Sequence, residues 1–344
     1  MKALVNTAPY KLEVQDWPIP TAGPDDLLVK VKACAICGSD VKGYSGKTGR
    51  RLPPIIMGHE AAGVVVEMGA NVSGFQVGDR VSFDSTIYCQ KCPFCLSGQL
   101  NLCENRRVLG VSTPEYRQHG AMAEYVVVPY WIAVHLPKEL SFAQASVIET
   151  VAIGIHGANR TPIKLNDTVV VVGAGPVGLF ALQGIRLKGA GKVIVTDLVA
   201  SRLEMAKQLG ADVVLQTNSP DFAARLRAET APFGADAAIE AVGVDSAIAT
   251  ALGAIRKGGA LTLIGNVSPT VNVDLQSIVT REITLYGSCA SNGEFKACVD
   301  LVASGKIKVD PLISEYVTLE QGQETFDKLY KGVEGHVKSV FLFE

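Results

Sequence analysis

The run Thr168–Val172, with the sequence TVVVV, leads directly into a glycine-rich turn, and this junction decides the fold. A continuous apolar run of this kind is typical of a strand buried on both faces of a parallel sheet. The turn has the pattern G-x-G-x-x-G and comprises Gly173, Ala174, Gly175, Pro176, Val177 and Gly178. Between a strand and a helix this pattern binds the pyrophosphate of a dinucleotide, and proline suits the first helical turn. A glycine-rich turn without a ligand is the alternative.

An acidic residue follows the turn at the spacing that this interpretation requires. Asp197 ends the next apolar run, 19 residues after Gly178. A carboxylate there accepts hydrogen bonds from ribose hydroxyls and repels a 2′-phosphate, so the sequence favours NAD over NADP. Arg202, five residues further on, would soften that preference or stack on the adenine.

The strand–helix alternation continues beyond the turn. Predicted strands and helices follow one another as Thr168–Val172, Pro176–Lys188, Lys192–Thr196, Ser201–Leu209, Asp212–Leu215, Asp221–Glu229, Ala235–Glu240, Asp245–Ile255, Ala260–Ile264 and Ile283–Tyr286. Apolar strands alternating with helices predict a parallel sheet covered on both faces. Right-handed crossovers then give an α/β, doubly wound sheet.

The segments on either side of this alternation have a different character. Residues 1–155 contain short β-like runs and no long helical pattern before about Ser141, which predicts a β-rich domain. These runs include Leu27–Ala33, Ala62–Glu67, Asp79–Phe83 and Ala123–Val128. The tail after residue 289 holds one predicted helix, Asn292–Ser304, and a terminal strand, Lys338–Phe343. It is short for a domain.

Composition narrows the class of protein. The chain has 344 residues, 48% hydrophobic and 19% charged, which fits two globular domains and excludes a disordered protein. A formal net charge of -2 argues against nucleic acid or an anionic membrane as a partner. Four glycines and a proline interrupt the uncharged stretch Thr168–Ile185, so it is not expected to span a membrane. The thiols and the lack of a signal-peptide core predict a cytoplasmic protein.

Four cysteines lie close together in the N-terminal part. Cys89, Cys92, Cys95 and Cys103 have the spacing C-x2-C-x2-C-x7-C. Four thiolates close a tetrahedral zinc site and leave no position open, so we expect a structural zinc. Disulfides are disfavoured in the cytosol, and the C-x3-C-P ending of bacterial ferredoxins is absent.

A second set of residues has the chemistry of zinc ligands without a linking motif. It consists of Cys37, His59, Glu60 and Glu149. Cysteine, histidine and carboxylate bind zinc in catalytic sites, which keep a position for substrate. Taken singly, Cys37 is equally a buried thiol, His59 a core histidine and Glu149 a helix-terminal charge. Spacing alone leaves both interpretations open.

Taken in order, these motifs resemble the zinc-dependent medium-chain dehydrogenase/reductase family, and its polyol branch in particular. The resemblance covers nearly the whole chain and rests on Cys37–Asp40, Gly58–Glu60, the four cysteines, Ala123–Val126, Glu149 and Gly173–Gly178. It implies a GroES-like catalytic domain from residues 1–155 and 289–344, with a zinc lobe at about 85–105. A Rossmann domain from residues 156–288 would bind NAD.

The resemblance also orders the site residues. It implies that Cys37 and His59 bind a catalytic zinc directly, that Glu60 binds it directly or intermittently, and that Glu149 often acts through water. Ser39 would accept the substrate proton. By resemblance, Ile264, Gly265, Asn266 and Ser288 line the nicotinamide. A relay histidine of several relatives falls at Lys42, which leaves the proton path beyond Ser39 open.

The activity implied is hydride transfer between a secondary alcohol of a polyol, possibly phosphorylated, and NAD, giving a ketose. The alternatives are an L-threonine 3-dehydrogenase-like enzyme, a simple secondary-alcohol dehydrogenase, and a non-enzymatic NAD-binding protein on the same fold. Two zinc ions per chain are expected. Ile283–Tyr286 would pair across a subunit interface, as in related enzymes, which implies a homodimer or homotetramer.

Overall fold

The computed structural model describes residues 1–333 and 335–344. The chain divides into two compact units, of which the first is Met1–Glu149 with Asn292–Glu344 and the second is Thr150–Ser291. The first unit is therefore built from both ends of the chain.

The strands, numbered in chain order, are β1 Lys2–Ala8, β2 Lys11–Asp16, β3 Asp26–Ala35, β4 Ile55–Ile56, β5 Glu60–Met68, β6 Arg80–Phe83, β7 Thr86–Ile87, β8 Arg107–Val108, β9 Val111–Ser112, β10 Arg117–Gln118, β11 Tyr125–Pro129, β12 Ala133–His135, β13 Thr168–Val172, β14 Lys192–Asp197, β15 Val213–Gln216, β16 Ala235–Glu240, β17 Ile255–Leu263, β18 Thr284–Gly287, β19 Ile313–Val317 and β20 Lys338–Leu342. The α-helices are α1 Gly38–Gly43, α2 Pro93–Leu96, α3 Phe142–Ser146, α4 Ile148–Arg160, α5 Pro176–Leu187, α6 Ala200–Gln208, α7 Phe222–Glu229, α8 Asp245–Ala254, α9 Leu275–Thr280, α10 Phe295–Ala303 and α11 Gly322–Lys331.

The first unit is organised around β3. This strand pairs with β5 on one side and with β11 and β20 on the other, within a seven-stranded sheet. Val340 of β20 lies opposite Ala35 of β3, so the C-terminal tail completes the N-terminal sheet. A smaller sheet, β2–β1–β4, adds to the same unit. The predicted β-rich, GroES-like fold is confirmed.

The second unit is a six-stranded parallel sheet with the order β15–β14–β13–β16–β17–β18. Val169, Val170 and Val171 are fully buried in the centre of the sheet, as the continuous apolar run predicts. The strand order reverses beside β13, and ligands bind at the carboxyl ends of strands near such a switch point. The α/β, doubly wound architecture predicted from the sequence is confirmed.

Several element boundaries differ from the prediction, and long-range pairing explains one of them. Strand β17 begins at Ile255 because that residue pairs with Ala235 of β16. Helix α10 begins at Phe295, three residues later than the predicted Asn292, whose side chain accepts a hydrogen bond from Leu100 N–H. The hairpin β1–β2, the strand β19 and the helices α9 and α11 lie in segments whose patterns are too mixed to have predicted them.

The uncharged stretch Thr168–Ile185 folds as β13, the turn and most of α5. In the part of the chain that the structure describes, no helix has the length and apolar character needed to span a bilayer.

Candidate functional site

The four-cysteine lobe brings its sulfur atoms together. The Sγ atoms of Cys89, Cys92, Cys95 and Cys103 all lie within 4.8 Å of one another. The Cys92 and Cys95 sulfurs are 3.5 Å apart, far beyond a disulfide bond and close to the edge of about 3.8 Å that a tetrahedral zinc–thiolate site requires. The donor set therefore fits a closed structural zinc site, as predicted.

The backbone around Cys89 favours its thiolate form, whereas burial raises the pKa of Cys95 to about 12. Gln90 takes a positive φ of 62° directly after Cys89. Backbone N–H groups of Lys91 and Cys92 donate to the Cys89 sulfur and lower the pKa of Cys89 to about 6, against the opposing effect of burial. Pro93 begins the short helix α2 between the second and third cysteines.

A second cluster has one cysteine, one histidine and one carboxylate. Ligand atoms of Cys37, His59 and Glu60 lie within 4.8 Å of one another, and His59 and Glu60 are buried. Cys37 caps the N-terminus of α1, and Glu60 begins β5, so strand and helix termini position the three. The set matches the ligand types of an open catalytic zinc site.

Asp40 and Arg51 support His59 from behind. Oδ2 of Asp40 is 3.4 Å from His59 Nδ1, which leaves Nε2 as the nitrogen available to a metal. Oδ1 accepts hydrogen bonds from Arg51 Nε (3.1 Å) and Nη2 (2.9 Å). Burial disfavours charge on His59, but the charges of Asp40 and Cys37 outweigh it and raise the pKa of His59 well above its usual value. These negative groups attract a cation at this position.

The two carboxylate oxygens of Glu60 differ in whether they have a partner. Its Oε2 forms a buried ion pair with Lys338 Nζ on β20. Its Oε1 is buried without a hydrogen-bond partner among the described residues. A metal ion would satisfy that oxygen, so the residues present fit the predicted zinc.

Glu149 lies outside this three-residue cluster. It is buried in the first turn of α4, where Oε1 accepts a hydrogen bond of 2.6 Å from Ser85 Oγ. Burial raises the pKa of Glu149 to about 7. The positive charge of His59 lowers this pKa, and the negative charge of Glu60 raises it further. Glu149 is therefore close enough to interact electrostatically with His59 and Glu60, although it is not one of the three clustered ligands.

Ser39 and Lys42 lie on α1 beside Cys37. Ser39 is exposed; its N–H donates to Cys37 Sγ at 3.4 Å, and its Oγ accepts from Arg51 Nη2 at 3.3 Å. Burial lowers the pKa of Lys42, and the nearby Cys37 opposes that shift.

The second unit carries the predicted nucleotide turn. Gly173 has a φ of 100°, and a Cβ at Gly178 would meet the Gly173 carbonyl oxygen at 1.8 Å. A Cβ at Gly175 would meet nothing within 4 Å, so this residue faces open space. Gly175 caps α5 without a side-chain hydrogen bond, leaving first-turn N–H groups free of a side-chain cap. Such a helix terminus suits a pyrophosphate.

Asp197 ties the turn to the neighbouring strand. One of its carboxylate oxygens accepts from Ala174 N–H at 2.7 Å and the other from Val199 N–H at 2.8 Å. It lies at the carboxyl end of β14, next to the turn that follows β13. This is the position at which an acidic residue meets the ribose of a bound dinucleotide.

The remaining predicted nucleotide residues also follow the carboxyl ends of strands in this sheet, and Arg202 is in the first turn of α6, shortly after β14. Ile264 and Gly265 follow β17 and donate their N–H groups to the Glu240 carbonyl at 2.8 and 3.1 Å. Asn266 is exposed. Ser288 follows β18, and its Oγ is buried without a partner among the described residues.

Sequence reasoning missed the partners of the metal-type ligands, namely Asp40, Arg51, Ser85 and Lys338. Asp40 could have been predicted from the sequence, because a carboxylate three residues after Cys37 at the same helix is within reach of the site. Lys338 could not, because 278 residues separate it from Glu60.

The first unit has residues that can bind zinc, and the second has a turn that can bind a dinucleotide. A zinc-dependent dehydrogenase needs both. Residues 23–138 match the alcohol dehydrogenase GroES-like domain, and residues 176–304 match the zinc-binding dehydrogenase domain.

Similar proteins span the whole chain. D-arabitol-phosphate dehydrogenase of Enterococcus avium is 36% identical over 97% of this chain and 96% of its own length. Sorbitol dehydrogenase of Bacillus subtilis (strain 168) is 33% identical over 95% and 93%. The NADP complex of a zinc-binding dehydrogenase from Sinorhizobium meliloti 1021 has a TM-score of 0.91 and 32% identity, covering 99% of both chains. The NADH complex of an Escherichia coli CFT073 alcohol dehydrogenase has a TM-score of 0.92 and 30% identity, covering 100% and 99%.

The chain belongs to the zinc-dependent medium-chain dehydrogenase/reductase family, as the sequence motifs predicted. It is a zinc-binding, nicotinamide-dependent oxidoreductase.

Proposed function

We propose that this enzyme oxidises a secondary alcohol of a polyol to a ketose with NAD⁺ and catalyses the reverse reaction. The observation that carries the proposal is the cluster of Cys37, His59 and Glu60 with buried Glu149 close by. The similarity to sorbitol and arabitol-phosphate dehydrogenases supports the substrate class. The first unit would act as the catalytic domain and the second as the NAD-binding domain.

Cys37, His59 and Glu60 would hold the catalytic zinc, with Glu149 acting directly or through water. Bound zinc supplies a Lewis acid that lowers the pKa of the substrate hydroxyl. Asp40 fixes the His59 ring by its contact with Nδ1, and Lys338 holds one Glu60 oxygen. These contacts orient the ligand atoms before substrate binds.

Ser39 would relay the hydroxyl proton: it would accept that proton and pass its own on toward water. Its exposed Oγ already accepts a hydrogen bond from Arg51, which orients it as an acceptor next to the metal cluster. Bound NAD⁺ would supply the hydride acceptor, so that alcohol and NAD⁺ would give ketone, NADH and one proton.

Asp197 would select NAD. Its carboxylate is fixed by two backbone N–H groups at the turn, where it repels a 2′-phosphate. Arg202 would moderate this selection. An Asp197→Ala variant is expected to narrow the difference between the KM values for NAD and NADP.

A panel of sorbitol, galactitol, arabitol, threonine and 2-propanol with zinc-replete enzyme and NAD⁺ tests the function, followed by absorbance at 340 nm. We expect reduction with polyols. Cys37→Ser should abolish it, and Cys298→Ser, a buried cysteine outside both clusters, should retain it. Activity only with threonine or 2-propanol, or full activity of Cys37→Ser, would contradict the proposal.

The proposal includes a homo-oligomer and a cytoplasmic location. Strand β18 is at the edge of the parallel sheet and exposes Leu285, which suits pairing with a second copy. Four cysteines gathered as a metal site, which needs them reduced, suit a reducing compartment.

A further inference from the structure

Two arginines, Arg51 and Arg117, are strand-paired with the same residue, Ser112 of β9. Ser112 of β9 forms a bridge with Arg51 on one side and pairs directly with Arg117 of β10 on the other. Residues directly opposite each other in neighbouring strands share a face of the sheet. The side chains of Arg51, Ser112 and Arg117 therefore lie on the same face.

This face is the one that adjoins the proposed proton acceptor. The Arg51 side chain extends from it to Ser39 Oγ at 3.3 Å and to Asp40 Oδ1 at 2.9 Å. Neighbouring strands are about 4.8 Å apart, so the Arg117 backbone is two strand spacings, roughly 10 Å, from that of Arg51. Arg51 therefore connects Ser39 to the face on which Arg117 lies.

The two arginines differ in their charge balance. Arg51 is buried and neutralised by Asp40. Arg117 is exposed, and its Nε donates to Ser112 Oγ at 3.3 Å. Its two terminal nitrogens have no hydrogen-bond or ion-pair partner among the residues that the structure describes. Glu115, the nearest acid in the hairpin turn, bonds instead to the Thr113 hydroxyl, which lowers the pKa of Glu115.

His119 adds a second donor close to Arg117. Its Nδ1 accepts the Ile56 N–H at 3.3 Å, which leaves the ring proton on Nε2. Burial lowers the pKa of His119, and the positive charge of Arg117 lowers it further. A neutral His119 leaves the charge of Arg117 available to a ligand.

Resting on the proposed function, we propose that the substrate is an anionic polyol whose phosphate or carboxylate group is bound by Arg117. A guanidinium with both terminal nitrogens free presents the paired donors that phosphate and carboxylate oxygens accept. The hydrogen bond from Arg117 Nε to Ser112 Oγ orients the guanidinium group before a ligand binds. Arg117 is then the residue that separates charged from neutral polyols, while the metal cluster acts on the hydroxyl.

The test compares arabitol, arabitol 5-phosphate and a hexonate as substrates of the wild type, Arg117→Gln and Arg117→Lys. We expect the wild type to favour at least one anion over arabitol by tenfold or more in kcat/KM. Arg117→Gln should reduce that ratio at least tenfold, and Arg117→Lys should restore part of it, because lysine keeps the charge and loses the fork. The preferred anion identifies the group.

Arg50→Gln is the matched control. Arg50 is an exposed arginine next to Arg51, and its side chain forms no hydrogen bond or ion pair within the described part of the chain. This variant should keep the wild-type ratio. A wild type that prefers arabitol, or an Arg117→Gln variant that loses activity equally on all substrates, would overturn the proposal. Failure to oxidise any polyol would instead refute the proposed function itself.

Discussion

Asp40 connects the proposed catalytic cluster of Cys37, His59 and Glu60 to the body of the first unit. It is fully buried, and its two oxygens serve different partners, His59 and Arg51. Residues behind a metal-binding histidine set its ring orientation and basicity. Removing the Asp40 charge therefore affects the site without touching a ligand atom.

We expect Asp40→Asn to weaken zinc binding at the proposed catalytic cluster by about 10- to 100-fold, because the amide lacks the charge that pairs with Arg51 and His59. Competition with a chelator measures the affinity. Zinc at the cysteine lobe is the internal control and should be unaffected. Equal affinity in wild type and variant would show that Asp40 has no such role.

Tyr44 predicts a pH dependence of stability. The side chain is buried, donates to Asp327 Oδ1 at 2.7 Å and accepts from Gln323. Burial and the Asp327 hydrogen bond raise the pKa of Tyr44 to about 12. Between pH 10 and 12 the unfolded chain loses this proton and the folded chain keeps it, so stability falls as pH rises.

Chemical denaturation of wild type and Tyr44→Phe across pH 8 to 12 measures this effect. The wild type should lose its stability advantage over the variant above about pH 10, the ordinary pKa of tyrosine. A difference between the two proteins that stays constant with pH would contradict the assignment.

At the scale of elements, the cysteine lobe depends on its metal more than on a core. Its buried cluster contains Cys92, Cys95 and Cys103 and little else, so a zinc ion would supply most of its stability.

Cys92→Ser should lower the zinc content from about two to about one per chain and make the lobe sensitive to proteolysis. Metal analysis checks this, with Cys298→Ser as the control that keeps both ions.

Glu240 joins the turns that follow β16 and β17. Its Oε1 accepts from the N–H groups of Val242 and Gly243, each at 2.8 Å, while its carbonyl accepts from Ile264 and Gly265. The residue is fully buried. Two turns on the nucleotide edge of the sheet are therefore fixed by one side chain and its backbone.

Glu240→Ala should lower the free energy of unfolding by about 1–3 kcal/mol, because it leaves one buried and one partly buried N–H group without an acceptor. Glu240→Gln should cost less, since the amide oxygen still accepts both. Denaturant unfolding compares them, and fluorescence titration with NADH should show weaker binding for Glu240→Ala. Equal losses for both variants would argue against the hydrogen-bond explanation.

At the scale of the whole molecule, the outer edge of β18 offers the clearest test of assembly. Leu285 on this strand is 39% exposed, and Val279 on the preceding helix is 65% exposed. We expect Leu285→Asp to shift the protein towards monomers in light scattering, because a charge on the edge strand opposes pairing. Leu165→Asp, at an exposed leucine before β13, should leave the assembly intact. A wild-type protein that is monomeric would refute the proposed oligomer.

The sequence by itself determined the parallel sheet, the dinucleotide turn and the four-cysteine lobe. Each depends on neighbours in the chain: the valine run of β13, the glycines from Gly173 to Gly178, and cysteines within one loop. Such patterns reflect local backbone geometry and burial, which short-range spacing encodes.

Only the tertiary structure decided how the catalytic cluster is supported. Glu60 meets Lys338 across 278 residues, and Glu149 meets Ser85 across 64. The pairing of Arg117 with Ser112 on the face of Arg51 also depends on strand register. These contacts follow from which strands lie side by side in the folded β-rich unit, and no periodicity along the chain records that arrangement.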